Sequence, residues 1–295
     1  MTPPPCEHRS AARDSWGILG RVTRRSILKA PSFAYAKAKS LAEAFELAAR
    51  PGARILAGGQ SLIPSLNMRL AAPELLVDIT GLRELATIER RANALRIGAL
   101  VTHATLERSR DVAEHAPLLA QAAAEVAHPA IRNRGTLGGS LALADPAAEY
   151  PACALALEAT MVLAGRAGER RVPAARFFRG LFETDLRPGE ILVAAEFPRA
   201  ERSLFIELAR RQGDYAIVGL ACVADAAGRC FAFCGVGATP MLAQGAARAA
   251  TLDAALKALR KDLDPPADLY HSAATKLHLA GVLLSRAWNR LSKPR

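Results

Sequence analysis

The sequence predicts an α+β protein of two domains, and three observations carry that reading. Short apolar runs of strand character alternate with stretches that repeat apolar residues at helical spacing. The pattern changes near residues 198–202, beyond which three strand-like runs follow one another as a meander. Two helical stretches then close the chain, separated by Pro265-Pro266. With 295 residues, 51% of them apolar and 23% charged, the chain can bury a substantial core without disulfides or metals.

The elements follow in order. Residues 1–30 read as a basic extension with little order, where six cations oppose Glu7 and Asp14. Its Arg24-Arg25 pair resembles a twin-arginine export signal, but Pro31, Lys37 and Lys39 interrupt the place of the apolar region such a signal needs. Residues 33–36 suit a short strand. Ser40 and Glu43 then form a capping box for a helix whose apolar face is Leu41, Ala44, Phe45 and Ala48. Strands are expected at 54–57 and 75–79, and a hairpin at 87–89 and 94–97. Thr102 caps a helix running through Arg108, and a second helix spans 117–127, with Leu118, Leu119, Ala122 and Val126 facing inward. Asp145-Pro146 opens another helix, since proline suits the first helical position. Strands at 160–164 and 191–197 complete the first domain, 31–200, with subdomains of about 31–85 and 86–200. The second domain, 201–295, holds strands at 203–209, 215–224 and 230–236 and helices at 246–263 and 272–291.

Composition excludes several functions. The net charge of +11 is spread along the chain, with no basic helix of interleaved aromatics and no zinc-finger spacing, which argues against nucleic-acid binding. Five cysteines without a C-x-x-C suit neither a disulfide framework nor a metal cluster held by this chain alone. Cys230 and Cys234 read as two small buried side chains on one strand face, in a reducing, cytoplasmic setting. No apolar run reaches the roughly 18 residues of a membrane span. Nor is there a G-x-G-x-x-G, a P-loop, an H-E-x-x-H or a G-x-S-x-G; Gly235-Val236-Gly237-Ala238-Thr239-Pro240 ends in proline where a third glycine would stand.

Two double-glycine segments remain. In Ala57-Gly58-Gly59-Gln60-Ser61-Leu62 a glycine pair follows a strand, allowing positive φ and close approach of an anion to successive backbone N–H groups. Gln60 and Ser61 add neutral donors. In Thr136-Leu137-Gly138-Gly139-Ser140, preceded by Arg132-Asn133-Arg134-Gly135, the same small-Gly-Gly-polar order recurs. Either segment alone suits a ligand-free turn. Together they suggest one anion clasped from two sides. Lacking metal and nucleophile chemistry of its own, the chain would rely on a bound cofactor.

These strings, with Met68-Arg69-Leu70, Leu76-Val77-Asp78-Ile79, Ala144-Asp145-Pro146-Ala147-Ala148-Glu149, Arg210-Arg211-Gln212-Gly213-Asp214-Tyr215 and the 235–240 run, resemble the FAD-binding medium subunits of molybdenum hydroxylases, the carbon monoxide dehydrogenase and xanthine dehydrogenase type. The resemblance runs from about Ser32 to Trp288. It implies a two-part FAD-binding domain of the vanillyl-alcohol-oxidase-like type, followed by a C-terminal domain of a three-stranded sheet plus helices. It implies that 57–62 and 136–140 contact the FAD pyrophosphate, and that Asp145 and Glu149 contact its ribityl or adenosine portion. Asp145 also suits a helix cap, and Glu149 a solvated helix position. Leu192 and Tyr215 fall where the family approaches the isoalloxazine, although Tyr215 also suits a half-buried strand. Arg210 and Arg211 would face solvent or a partner. The resemblance further implies an electron relay. A large molybdenum subunit oxidises substrate, a small subunit carries two [2Fe–2S] clusters, and this chain passes electrons to NAD, a quinone or oxygen, in a dimer of heterotrimers. A free-standing flavoenzyme of related fold and a non-catalytic scaffold are the alternatives; no covalent flavin-attachment motif is visible, and a scaffold has no need of both glycine segments.

Overall fold

The structure is a computed structural model that describes residues 30–200, 202–225 and 228–292. Apart from Ala30, the extension expected over 1–30, with its arginine pair, lies outside the described residues. The first sheet is small and parallel. Strands β1 (Ala34–Lys37), β2 (Ala53–Leu56) and β3 (Leu75–Asp78) pair in the order β1-β3-β2. The central strand is buried along its length, because parallel sheets are covered on both faces. Parallel neighbours need crossovers, and here they run through helices α1 (Leu41–Ala48) and α2 (Leu62–Asn67). The Ser40 hydroxyl accepts from Glu43 N–H and the Glu43 carboxylate accepts from Lys39 N–H, which starts α1 where the sequence signals it.

A second, antiparallel sheet follows, of β4 (Ile88–Arg90), β5 (Ala94–Gly98), β6 (Thr160–Gly165), β7 (Gly168–Pro173) and β10 (Ile191–Pro198), in the order β4-β5-β10-β6-β7. Between β5 and β6 come α3 (His103–Arg108), α4 (Arg110–His115), α5 (Pro117–Glu125), α6 (Pro129–Arg132), α7 (Leu137–Leu143) and α8 (Glu149–Ala156). Between β7 and β10 lie α9 (Ala174–Phe177) and a hairpin of β8 (Phe178–Gly180) and β9 (Glu183–Thr184). The two sheets share apolar contacts: Val162, Ile191 and Val193 join Leu47, Val77 and Ile79 in one cluster.

The last sheet is the expected meander: β11 (Arg202–Ala209), β12 (Ala216–Asp225) and β13 (Gly228–Cys234), antiparallel in chain order. It corrects the expected count of three, because a two-residue strand, β14 (Met241–Leu242), adds to β13. Two residues are too few to leave a periodic signal. Both faces of this sheet are covered. Val218, Leu220, Phe231 and Phe233 pack among α10 (Gln244–Arg248), α11 (Leu252–Asp262) and α12 (Ala273–Leu291), whereas Ala221, Ala232 and Cys234 face the first domain. Cys230 packs on the same face as Cys234. The single helix expected over 246–263 is two, because Ala249 is extended and the Thr251 hydroxyl caps a new start by accepting from Ala254 N–H.

Helix α8 lies between the first domain and this sheet, and all eight of its residues are buried. A helix buried all round needs neighbours that approach closely. Ala152, Cys153, Ala154 and Ala156 meet the small-residue face of β12 and β13. The helix expected to open at Asp145-Pro146 opens instead at Glu149. The Asp145 carboxylate accepts from Ala147 N–H at 2.9 Å, making an Asx turn that competes with a helical start.

One buried carboxylate ties the second sheet across three strands. Glu196 of β10 is 8% exposed and accepts from Arg96 of β5 at 3.1 Å and from Arg171 of β7 at 2.8 Å. The Arg171 hydrogen bond holds its pKa below the ordinary carboxylate range. Replacing Glu196 with Gln leaves two guanidiniums short of an anion. We expect a loss of about 1–3 kcal/mol, read as a lower urea midpoint with unchanged slope.

Candidate cofactor site

The first glycine segment turns out of β2 directly after Leu56. Gly59 has φ +74°, which favours glycine. Gly58 lies against the second segment: a Cβ built on it would stand 2.0 Å from the Arg134 carbonyl oxygen and 2.9 Å from Gly135 Cα. The two segments therefore meet backbone to backbone, and any side chain at 58 would drive them apart. The N–H groups of Gly58, Gly59, Gln60, Ser61 and Leu62 find no acceptor among the described residues. Ser61 makes no side-chain cap on α2, and Gln60 Nε2 donates back to the Gly58 carbonyl at 3.0 Å. A run of free N–H groups around a positive-φ glycine is a nest for an anion.

The second segment is built differently. Thr136 is the N-cap of α7, and its hydroxyl accepts from Gly139 N–H at 3.1 Å. Leu137 N–H donates to Val101 O and Gly138 N–H to Ala99 O, each at 2.9 Å, and Ser140 N–H donates to Thr136 O at 3.0 Å. Its backbone donors are committed to the fold, so the clasp expected from two like segments is asymmetric. What faces outward is the exposed Gly139 backbone and the half-buried Ser140. Arg132, which suited an anion in the sequence, is tied down structurally: it donates to the Glu107 carboxylate at 3.1 Å and to the carbonyls of Val126 and Ala127 at 3.2 Å.

The remaining candidates divide. Asp145 and Glu149 flank the turn into α8, and Gly235 N–H donates to Pro146 O at 2.8 Å, so the second domain reaches this turn. Glu149 is buried rather than solvated, and burial pushes its pKa up to about 7. Tyr215 stands 67% exposed on the loop before β12. Desolvation, then the charge of Asp145 and Glu149, pushes its hydroxyl above the ordinary range, which places the three in one neighbourhood. Leu192 is not brought to an open surface: it is 4% exposed, in the core beside the bulge of β10.

Two residues escaped sequence reasoning. Glu207 of β11 points with Phe205 toward the first domain, its Oε2 is buried with no hydrogen-bond partner among the described residues, and burial followed by Glu149 raises its pKa to about 8. The signal was available, since a glutamate at an inward position of an alternating strand breaks the pattern. His103 lies beneath Gly135, 2.6 Å from the position of a built Cβ, with its ring 5.1 Å from that of Tyr150. Burial lowers its pKa to about 4, so it is neutral at pH 7. Nothing in its spacing marked it.

Fold and site together define a two-domain protein with an anion nest at a strand end, the pattern of a chain that carries a phosphate-bearing cofactor. Comparison with known proteins makes the class specific. A family described as the FAD binding domain in molybdopterin dehydrogenase matches residues 31–200, and one described as the CO dehydrogenase flavoprotein C-terminal domain matches residues 203–291. The chain is 35% identical over 277 residues to the carbon monoxide dehydrogenase medium chain of Hydrogenophaga pseudoflava, covering 88% of this chain and 96% of that one. It is 44% identical over 210 residues to the 6-hydroxypseudooxynicotine dehydrogenase complex subunit alpha of Paenarthrobacter nicotinovorans, covering 69% and 71% of the two. The structure of quinoline 2-oxidoreductase from Pseudomonas putida 86 superposes with a TM-score of 0.84 at 38% identity, covering 89% of this chain and 98% of that chain. The chain belongs to the FAD-binding subunits of the molybdenum hydroxylase family, and is an oxidoreductase subunit.

The carboxyls of Glu149 and Glu207 set a pH dependence. Their folded pKa values, about 7 and about 8, lie above the ordinary 4.5. Folding favours the protonated forms, so their contribution is full below pH ~4.5, declines as pH rises through ~7–8, and is flat above. Thermal unfolding between pH ~5 and ~9 should show a falling Tm, and E149Q with E207Q should flatten that slope. An equal slope in the double variant would rule the two groups out.

Proposed function

We propose that this chain is the electron-transfer subunit of its complex, accepting electrons from [2Fe–2S] clusters of a partner subunit and passing them to NAD, a quinone or oxygen. The single observation that carries the cofactor reading is the run of unpaired N–H groups from Gly58 to Leu62, closed on one side by the Arg134 backbone. The residues fit FAD: the nest takes the pyrophosphate, with Ala57 behind it and the Gln60 and Ser61 side chains beside it. Across the Gly58 contact, Thr136, Leu137 and Gly138 seat α7, which leaves Gly139 and Ser140 facing the same groove. Asp145, Glu149 and Tyr215 orient the remainder of the cofactor at the domain junction, Leu192 backs it from the core, and the Glu149 carboxyl in its protonated form donates a hydrogen bond there. The chemistry FAD supplies when bound is the exchange of single electrons for a pair.

Assembly with a small iron–sulfur subunit and a large molybdenum subunit, as a dimer of heterotrimers in the cytoplasm, belongs to the same reading. The relatives above are named as a medium chain and as a complex subunit. No helix among the described residues is long and apolar enough to cross a membrane. We also place the first domain in the vanillyl-alcohol-oxidase-like class, on its division into a parallel and an antiparallel sheet.

The test is spectroscopic. The chain, purified with its partners, should show flavin absorbance that bleaches on adding a substrate of the complex under anaerobic conditions. Gly58→Ala should lower the flavin-to-protein ratio by at least about tenfold, because the new methyl separates the two segments, with far-ultraviolet circular dichroism retained. Full flavin content in that variant would sink the proposed nest.

A further inference from the structure

The β8–β9 hairpin holds two large apolar side chains in water. Leu181 is 60% exposed and Phe182 is 55% exposed, side by side at its tip. Phe182 has φ +55°, in the left-handed region that bulky residues avoid. The Phe182 ring is outside every hydrophobic cluster of the described residues, so no packing among them offsets that strain.

The base of the hairpin is clamped. Arg170 donates to the Asp185 carboxylate at 2.6 Å and to both Glu190 carboxylate oxygens at 2.7 Å. Arg179 donates to the other Asp185 oxygen, and Asp185 N–H donates to Phe177 O at 2.8 Å. Inward-facing Phe178 and Leu186 pin the two ends to the core. The tip is thus a stiff, presented feature. In the adjoining segments Arg176 and Arg187 are exposed and the guanidinium of neither forms an ion pair among the described residues, although Arg187 N–H donates to the Glu190 carboxylate at 2.8 Å; the exposed carboxylate of the hairpin is Glu183. Strained, exposed residues persist where a functional surface selects them. Aromatic and leucine anchors within an arginine rim match the centre and edge of a protein interface.

We propose that the Leu181-Phe182 tip is a docking anchor for a partner subunit that offers an apolar pocket rimmed by carboxylates. The inference rests on the assembly reading given above. A strained left-handed aromatic costs the free chain stability that only the docked state recovers, and the basic rim selects an acidic partner over a second copy of this basic chain.

The experiment uses the whole complex, purified through a tag on this chain and identified by its iron, molybdenum and flavin content. Dissociation on dilution is followed by mass photometry for wild type, L181S and F182G. Both variants should dissociate with a Kd at least about tenfold higher, with flavin content unchanged and with weaker binding as salt rises. F182G should keep or raise the Tm of the isolated chain, since glycine relieves the positive φ. Unchanged dissociation overturns the proposal. So does a loss of flavin in L181S, which would make the tip a cofactor cover, or a shift of the isolated chain from dimer to monomer, which would make a second copy the occupant. A wild-type chain that purifies without partners would instead refute the assembly reading.

Discussion

The contact between Gly58 and the Arg134–Gly135 backbone is the constraint on which the rest of the site depends. Three features are arranged to permit it. Two residues past the end of β2 stands Gly58, which has no side chain. Arg132 is fixed by a carboxylate and carbonyls so that the chain leading to Gly135 has one path. His103 is held beneath Gly135 by its backbone bond to the Gly135 carbonyl at 3.0 Å. One segment leaves the parallel sheet and the other lies between strands of the antiparallel sheet, so the same contact joins the two sheets, together with the apolar cluster behind them.

A division between the two glycine segments follows from where each falls relative to a helix. The second lies inside the first turn of α7, and a helix start must satisfy its own donors. It does so with Thr136, Ala99 and Val101. The first lies in the loop before α2, has no such cap, and keeps its donors free. Similar strings thus do unlike work: one segment keeps its backbone donors free among the described residues, and the other spends its own on seating α7 against it.

The domain junction obeys a second constraint. Helix α8 is wedged between layers, with small residues at Ala152, Cys153, Ala154 and Ala156, and the carboxyls of Glu149 and Glu207 enter there without an ion-pair partner among the described residues. Burial then favours their neutral forms. A neutral carboxyl donates a hydrogen bond where a carboxylate cannot, and keeping it neutral costs stability as pH rises.

Much of the fold was legible in the sequence. The capping box at Ser40, the hairpin across 90–93, the meander and the closing helix capped by Ser272 all rest on local chemistry, which acts within a few residues and leaves a periodic trace. The glycine strings alone pointed to an anion; with their flanking strings they resembled a known FAD-binding family, and that resemblance is what marked FAD. Misreadings arose where local signals compete or are too short: Asp145-Pro146 makes an Asx turn before α8, Thr251 splits a continuous apolar pattern, and β14 has two residues. What only the tertiary structure decided is which donors remain free, how deeply Glu149 and Glu207 are buried, and that Leu192 lies in the core. A backbone N–H is the same in every residue, and a carboxyl's charge depends on its surroundings. Both are determined by what the fold brings alongside, and no spacing along the chain records that.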